Sequence, residues 1–133
     1  MNESAMNDDE KFDMKTETKN TPLSLYTALA FDKNKPLVAL ILETPMTKEL
    51  RICLSEGVMM KDHKSPFPIV IHVQEGTMEL GVEGDSFAMV KGDLINLEGG
   101  VMHNLKALEN TIVRLSIVKE DKLERVEQVI NGN

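Results

Sequence analysis

The sequence predicts an all-β protein, an antiparallel barrel or sandwich, and three observations carry that prediction. Strand-like apolar runs separated by turn residues recur at roughly 8–12-residue spacing, the pattern of small β-barrels and sandwiches. Seven of the eight glycines (Gly57, Gly76, Gly81, Gly84, Gly92, Gly99 and Gly100) fall between residues 57 and 100. Glycine supplies the positive φ of tight turns, so this stretch is expected to hold short strands joined by sharp turns. Third, the 133 residues fit one domain with a core of its own. A chain of this size buries roughly two-thirds of its unfolded surface and needs no covalent staple. The single Cys53 excludes an intramolecular disulfide, a CxxC motif and a cysteine-rich zinc site.

The elements follow in chain order. Residues 1–21 carry six acids and three lysines against Ala5, Phe12 and a few methionines. Such a stretch cannot bury enough apolar surface to offset ordering entropy, so it is expected to be a disordered tail. The barrel is expected over residues 22–119. Leu23–Phe31 reads as a strand or a short helix, and Asp32–Pro36 as a turn. Leu37–Leu42 reads as a strand. In Glu49–Ser55 the residues Leu50, Ile52 and Leu54 alternate with Arg51, Cys53 and Ser55, the period of a strand. Pro66 and Pro68 stiffen the approach to Ile69–Gln74. The strands Thr77–Val82, Ser86–Val90, Leu94–Leu97, Val101–Leu105 and Thr111–Val118 follow, divided by glycine- or asparagine-bearing turns. Residues 120–133 are expected to form a helix packed on the outside of the barrel. Asp121-Lys122-Leu123-Glu124 has the form of a capping box, Leu123, Val126 and Ile130 make an apolar stripe, and Gly132 stands at the C-cap.

Charge and composition narrow the function classes. With 22 acids against 15 bases, the net charge is −7. Nucleic acid and anionic membrane surfaces are therefore not expected partners, because both need a basic face. No apolar run reaches the length of a membrane span, and the acidic N-terminus lacks the apolar core of a secretory signal. The cytoplasm is the expected location. No GxSxG, GxGxxG or Walker loop is present, so neither a serine nucleophile nor a nucleotide cofactor is indicated. Two arginines sit inside apolar strands. Arg51 shares parity with Cys53 and Ser55, which favours outward exposure. Arg114 shares parity with Ile112, Ser116 and Val118, which leaves its direction open; turned inward it would clamp a carboxylate or phosphate.

From Gly57 onwards the chain resembles the cupin superfamily, in particular its small single-domain conserved-barrel members. The first cupin motif places five residues between a glycine and an H-x-H, followed by a glutamate and a closing glycine. Gly57, His63 and Gly76 match it, and Val73-Gln74-Glu75-Gly76 is similar to the family's VLEG stretch. In the second motif Gly92, Gly100 and His103 match. Four positions depart: Ser65 replaces the second histidine, Ile69 the glutamate, Glu98 the proline and Ala107 the asparagine.

The resemblance implies an antiparallel cupin β-barrel, a double-stranded β-helix or jelly roll, with its site at the barrel mouth. Family metal centres use three histidines and one glutamate, and two of those four positions survive here, His63 and His103. Two imidazoles hold a divalent ion weakly. The expectation is therefore a small-molecule-binding cupin with a degenerate metal site, whose cavity holds a weakly bound Zn, Ni, Fe or Mn ion or none. Water, Glu98 or a bidentate ligand could complete a metal shell. His72 is expected to face outward, since Ile69, Ile71 and Val73 share the inward parity. The expected ligand pocket comprises His63, His103, Phe67, Ile69, Ile71 and Arg114. The alternative is a metal-dependent cupin enzyme, an oxygenase or isomerase. Met59, Met60, Met102 and Cys53 raise a softer copper option, against the plainer reading that methionine fills a core short of aromatics. A homodimer paired through strand edges is the expected assembly.

Overall fold

The computed structural model describes residues 20–131. The expected tail over residues 1–21 lies almost wholly outside them, as does the C-cap expected at Gly132. Among the described residues nine strands are followed by one helix: β1 (Leu37–Glu43), β2 (Thr47–Leu54), β3 (Met59–His63), β4 (Ile69–Glu75), β5 (Thr77–Val82), β6 (Asp85–Val90), β7 (Leu94–Leu97), β8 (His103–Ala107), β9 (Thr111–Val118) and α1 (Leu123–Asn131). The strands form two antiparallel sheets, ordered β1-β2-β9-β4-β7 and β3-β8-β5-β6. No helix among the described residues is long and apolar enough to cross a membrane.

Strand alternation builds the core. Leu50, Ile52 and Leu54 of β2, Ile69, Ile71 and Val73 of β4, and Val113, Leu115 and Ile117 of β9 turn to the inside. Met60, Leu105, Met78, Leu80 and Met89 close it from the second sheet. Three of these, Met60, Met78 and Met89, are methionines, whose flexible side chains adapt to an irregular space. At the β5–β6 hairpin, Val82 pairs with Asp85 around Glu83 and Gly84, both at positive φ, the two-residue geometry that matches strand twist. Gly76 stands at φ +94°, and a Cβ there would lie 2.5 Å from the Asn110 carbonyl oxygen. Only glycine can occupy that turn.

Three local expectations are corrected. The strand β3 lies outside the expected strands, because Met-Met-Lys-Asp-His lacks β-branched residues; pairing with β8 supplies its order. Residues 20–36 form neither strand nor helix. They run over the outer face of the larger sheet as turns, held by the Arg51 guanidinium: Nη1 donates to the carbonyls of Leu25 and Thr27, both at 2.8 Å. Arg51 thus has the outward parity expected of it but is only 3% exposed. The cover explains why five consecutive β2 residues are buried despite a two-residue period. Finally, the Asp121 carboxylate does not close a capping box. It accepts from the Lys122 N–H at 2.9 Å and from the side chains of Ser65 and Arg125.

Candidate functional site

The β3–β8 pairing brings the two motif histidines together. A register irregularity between Met60 and His63 carries β3 past its ideal ladder, and His63 then faces His103 across the strands. Their ring centroids are 4.2 Å apart at an interplanar angle of 61°. Each ring is steered by its own strand: His63 Nδ1 lies 2.6 Å from the Lys61 carbonyl oxygen, and His103 Nδ1 3.0 Å from that of Val101. A carbonyl can only accept, so each Nδ1 carries the proton and each neutral ring keeps its lone pair on Nε2. Burial pulls the His63 pKa down to about 4 and that of His103 below its ordinary value, with Arg125 adding to both shifts.

Both rings line a cavity in the barrel, walled otherwise by Ile52, Met60, Ile69, Ile71, Leu105, Val113 and Leu115 and by Arg125, Val126 and Val129 of α1. About 20 Å³ of it is open to the centre of a water molecule, room for about one. The helix therefore supplies one wall of this space rather than lying on the outside of the barrel. Val126 is buried in the core cluster. The helix is fastened by a carboxylate: Arg125 Nε and Nη2 donate to Asp121 Oδ1 and Oδ2 at 2.7 and 2.8 Å, and Ser65 Oγ donates to Oδ2 at 2.9 Å. Burial works against the Asp121 charge, but the hydrogen bonds from Arg125 and Ser65 outweigh it and hold the carboxyl below its usual range. Ser65 is itself placed by the second-motif loop, where the Gly100 N–H donates to the Ser65 carbonyl at 2.7 Å. A Cβ on Gly99 would lie 2.6 Å from the Pro66 carbonyl oxygen, so this loop can approach only as glycine.

Of the six expected pocket residues, His63, His103, Ile69 and Ile71 meet at this cavity, and Phe67 and Arg114 do not line it. Arg114 alternates with the inward Val113 and Leu115. It therefore projects from the other face of β9, where Nη1 donates to Glu49 Oε1 at 2.7 Å. Phe67 sits in the turn before β4, its N–H donating to Ser65 Oγ at 3.1 Å. His72, across the strands from Leu94 and Arg114, is likewise off the cavity. Sequence reasoning missed Arg125 and Asp121; their i, i+4 spacing was the available signal.

The donor set does not fit a resident divalent ion. Two imidazoles converge, but Glu98 is exposed, and no group of three His, Cys, Asp or Glu side chains able to hold a metal occurs among the described residues. A guanidinium shares the same wall, adding positive charge where a cation would sit. Of the four residues behind the copper option only Met60 reaches the cavity; Cys53 is buried away from it, and Met59 and Met102 are exposed, so the softer donor set is not assembled.

No family model matches the sequence, and no curated protein matches it. Solved structures do resemble the chain. An RmlC-like cupin from Desulfovibrio desulfuricans superposes with a TM-score of 0.67 at 20% identity, over 74% of this chain and 95% of the other. A cupin superfamily protein from Desulfitobacterium hafniense gives 0.66 at 10% identity, over 73% and 89%. A conserved Streptococcus pyogenes protein of unknown function gives 0.65 at 20% identity, over 77% and 90%. Likeness at these identities speaks for architecture: the chain has the antiparallel double-stranded β-helix fold of the cupins.

Proposed function

We propose that the protein binds a small molecule inside its barrel, against His63 and His103, without a resident metal. One observation carries this reading. The cavity wall is apolar except for three side chains, and two of them are neutral imidazoles whose Nδ1–H groups are already committed to backbone carbonyls. Each leaves one ring nitrogen uncommitted beside buried aliphatic side chains, the composition expected of a ligand pocket: mostly apolar, with a few convergent polar groups. A metal-dependent oxygenase or isomerase would need a third protein ligand, and the residues around the pair offer none.

Native mass spectrometry of the full chain, purified without chelator, tests the reading. A non-covalent mass that leaves on denaturation, and that His63→Leu and His103→Leu each reduce, is the expected result. A retained mass indifferent to both substitutions would place the ligand elsewhere.

A further inference from the structure

The third polar side chain of the cavity decides what kind of molecule fits. Arg125 uses Nε and one Nη2 proton on Asp121, and its Nη1 makes no hydrogen bond among the described residues. Arg125 is part of the cavity wall and its charge acts on both histidines, so the guanidinium lies beside the pair with Nη1 donors still available. The two histidines offer the opposite, a lone pair each, because their protons are on Nδ1. The polar end of the cavity is therefore one cationic donor edge beside two acceptors.

That combination discriminates between anions. A sulfate or a fully ionised phosphate ester carries no donor and would meet two imidazole lone pairs. A plain carboxylate satisfies Arg125 and leaves both Nε2 atoms without a donor. A carboxylate with a neighbouring hydroxyl satisfies both kinds of group at once. Beyond the polar end the wall is aliphatic, set by Ile52, Ile69, Ile71, Val113 and Leu115. Resting on the barrel-pocket reading above, we infer that the ligand is an α-hydroxycarboxylate with a short aliphatic tail. Its carboxylate sits on Arg125, its hydroxyl donates to a histidine Nε2, and its tail lies among the isoleucines.

The cavity as it stands holds about one water, so such a ligand enters only if a wall moves. The one part of that wall outside both sheets is α1. It supplies Arg125, Val126 and Val129, and it is fastened to the barrel through the Asp121 contacts with Ser65 and through the Lys48 Nζ donation to the Asp121 carbonyl at 2.9 Å. The anchoring arginine thus rides on the element that closes over the ligand.

The test is a calorimetric titration of the full chain with α-hydroxy acids from glycolate to α-hydroxyisocaproate, each beside its amide and its deoxy acid. Methyl NMR of the isoleucines and valines runs in parallel. Binding that weakens about 10- to 100-fold on loss of either the charge or the hydroxyl is expected, the cost of stranding a buried partner. Arg125→Gln should produce the same loss, and Arg125→Lys about a tenfold loss, since charge remains without the fork. Circular dichroism establishes that both variants are folded. Ser65→Ala, which loosens α1 without removing a cavity polar group, should keep the preference for acid over amide. Equal affinity for acid and amide, or binding unaffected by Arg125→Gln, overturns the ligand class. If a neutral compound alone shifts the Ile69, Ile71 and Val113 methyls, the anion inference fails and the barrel pocket stands. If no compound shifts them, both fall.

Discussion

Replacing Asp121 with alanine is the perturbation that reaches furthest, because one carboxylate ties the helix to the barrel. The Asp121 side chain is 1% exposed and its partner Arg125 21% exposed. Four donors converge on its two oxygens: Arg125 Nε at 2.7 Å, Arg125 Nη2 at 2.8 Å, Ser65 Oγ at 2.9 Å and the Lys122 N–H at 2.9 Å. Removing one member of a fully buried ion pair costs about 3–5 kcal/mol, mostly from the charge left behind. Arg125 keeps some contact with solvent, which brings its share down to about 2 kcal/mol. The Ser65 hydroxyl, 2% exposed, loses its acceptor for about 1 kcal/mol more. The expected loss is thus about 3 kcal/mol, equivalent to roughly 10 °C in Tm for a domain of this size. Urea unfolding measures the global loss, and amide hydrogen exchange over 123–131 shows where it originates. Asp121→Asn should cost about half as much, because it keeps an acceptor and loses the charge. In the double variant with Arg125→Ala, much of the loss should return, since no cation is then stranded. A loss below about 1 kcal/mol with α1 protection unchanged would refute the view that this pair holds the helix down.

Other expectations follow from the same geometry. Arg51→Met should cost about 2–3 kcal/mol by releasing the charge-assisted bonds to Leu25 and Thr27, and limited proteolysis should then cut first within 20–36. Stability should fall in acid through the histidine pair. The folded pKa of His63 is about 4, below the unfolded value of about 6.5, so the contribution is intact above pH 6.5 and is lost as pH drops through about 4. Full conversion of that shift gives about 3 kcal/mol, and the half-exposed ring reduces it to about 1–2 kcal/mol, readable as a falling urea midpoint between those pH values. The edge strands β6 and β7 expose Phe87, Val90 and Leu94, the last 65% open, and we propose that two chains pair there. Sedimentation at tens of micromolar should show a dimer that Leu94→Lys weakens; a monomer throughout would remove that proposal.

Much of the barrel was legible in the residues. The two-residue period of Leu50–Leu54 and the apolar richness of Ile69–Val73 and Thr111–Val118 are local signals that survive folding unchanged. The glycines were legible for a different reason: Gly76, Gly99 and Gly100 meet backbone demands that no other residue meets. What stayed hidden was non-local. The strand Met59–His63 is ordered by its partner β8, and a sequence window cannot see a partner. Arg51 followed its strand's parity, but its burial depends on residues 25–28 folding back over it. Arg114 had the alternation to place it outward, in the set opposite Val113 and Leu115, once the inward set was known. The site was half legible. His63 and His103 were marked by motif spacing, whereas Arg125 reaches the cavity only because α1 caps the barrel, a tertiary fact its own amphipathic stripe does not encode.

The claim that matters most is that the two-histidine cavity works without a resident metal. Elemental analysis of protein purified without chelator, alongside His63→Ala and His103→Ala, tests it most directly. The account predicts divalent metal well below one equivalent per chain and unchanged in both variants. A full equivalent in the native protein that is lost in each single variant would contradict it.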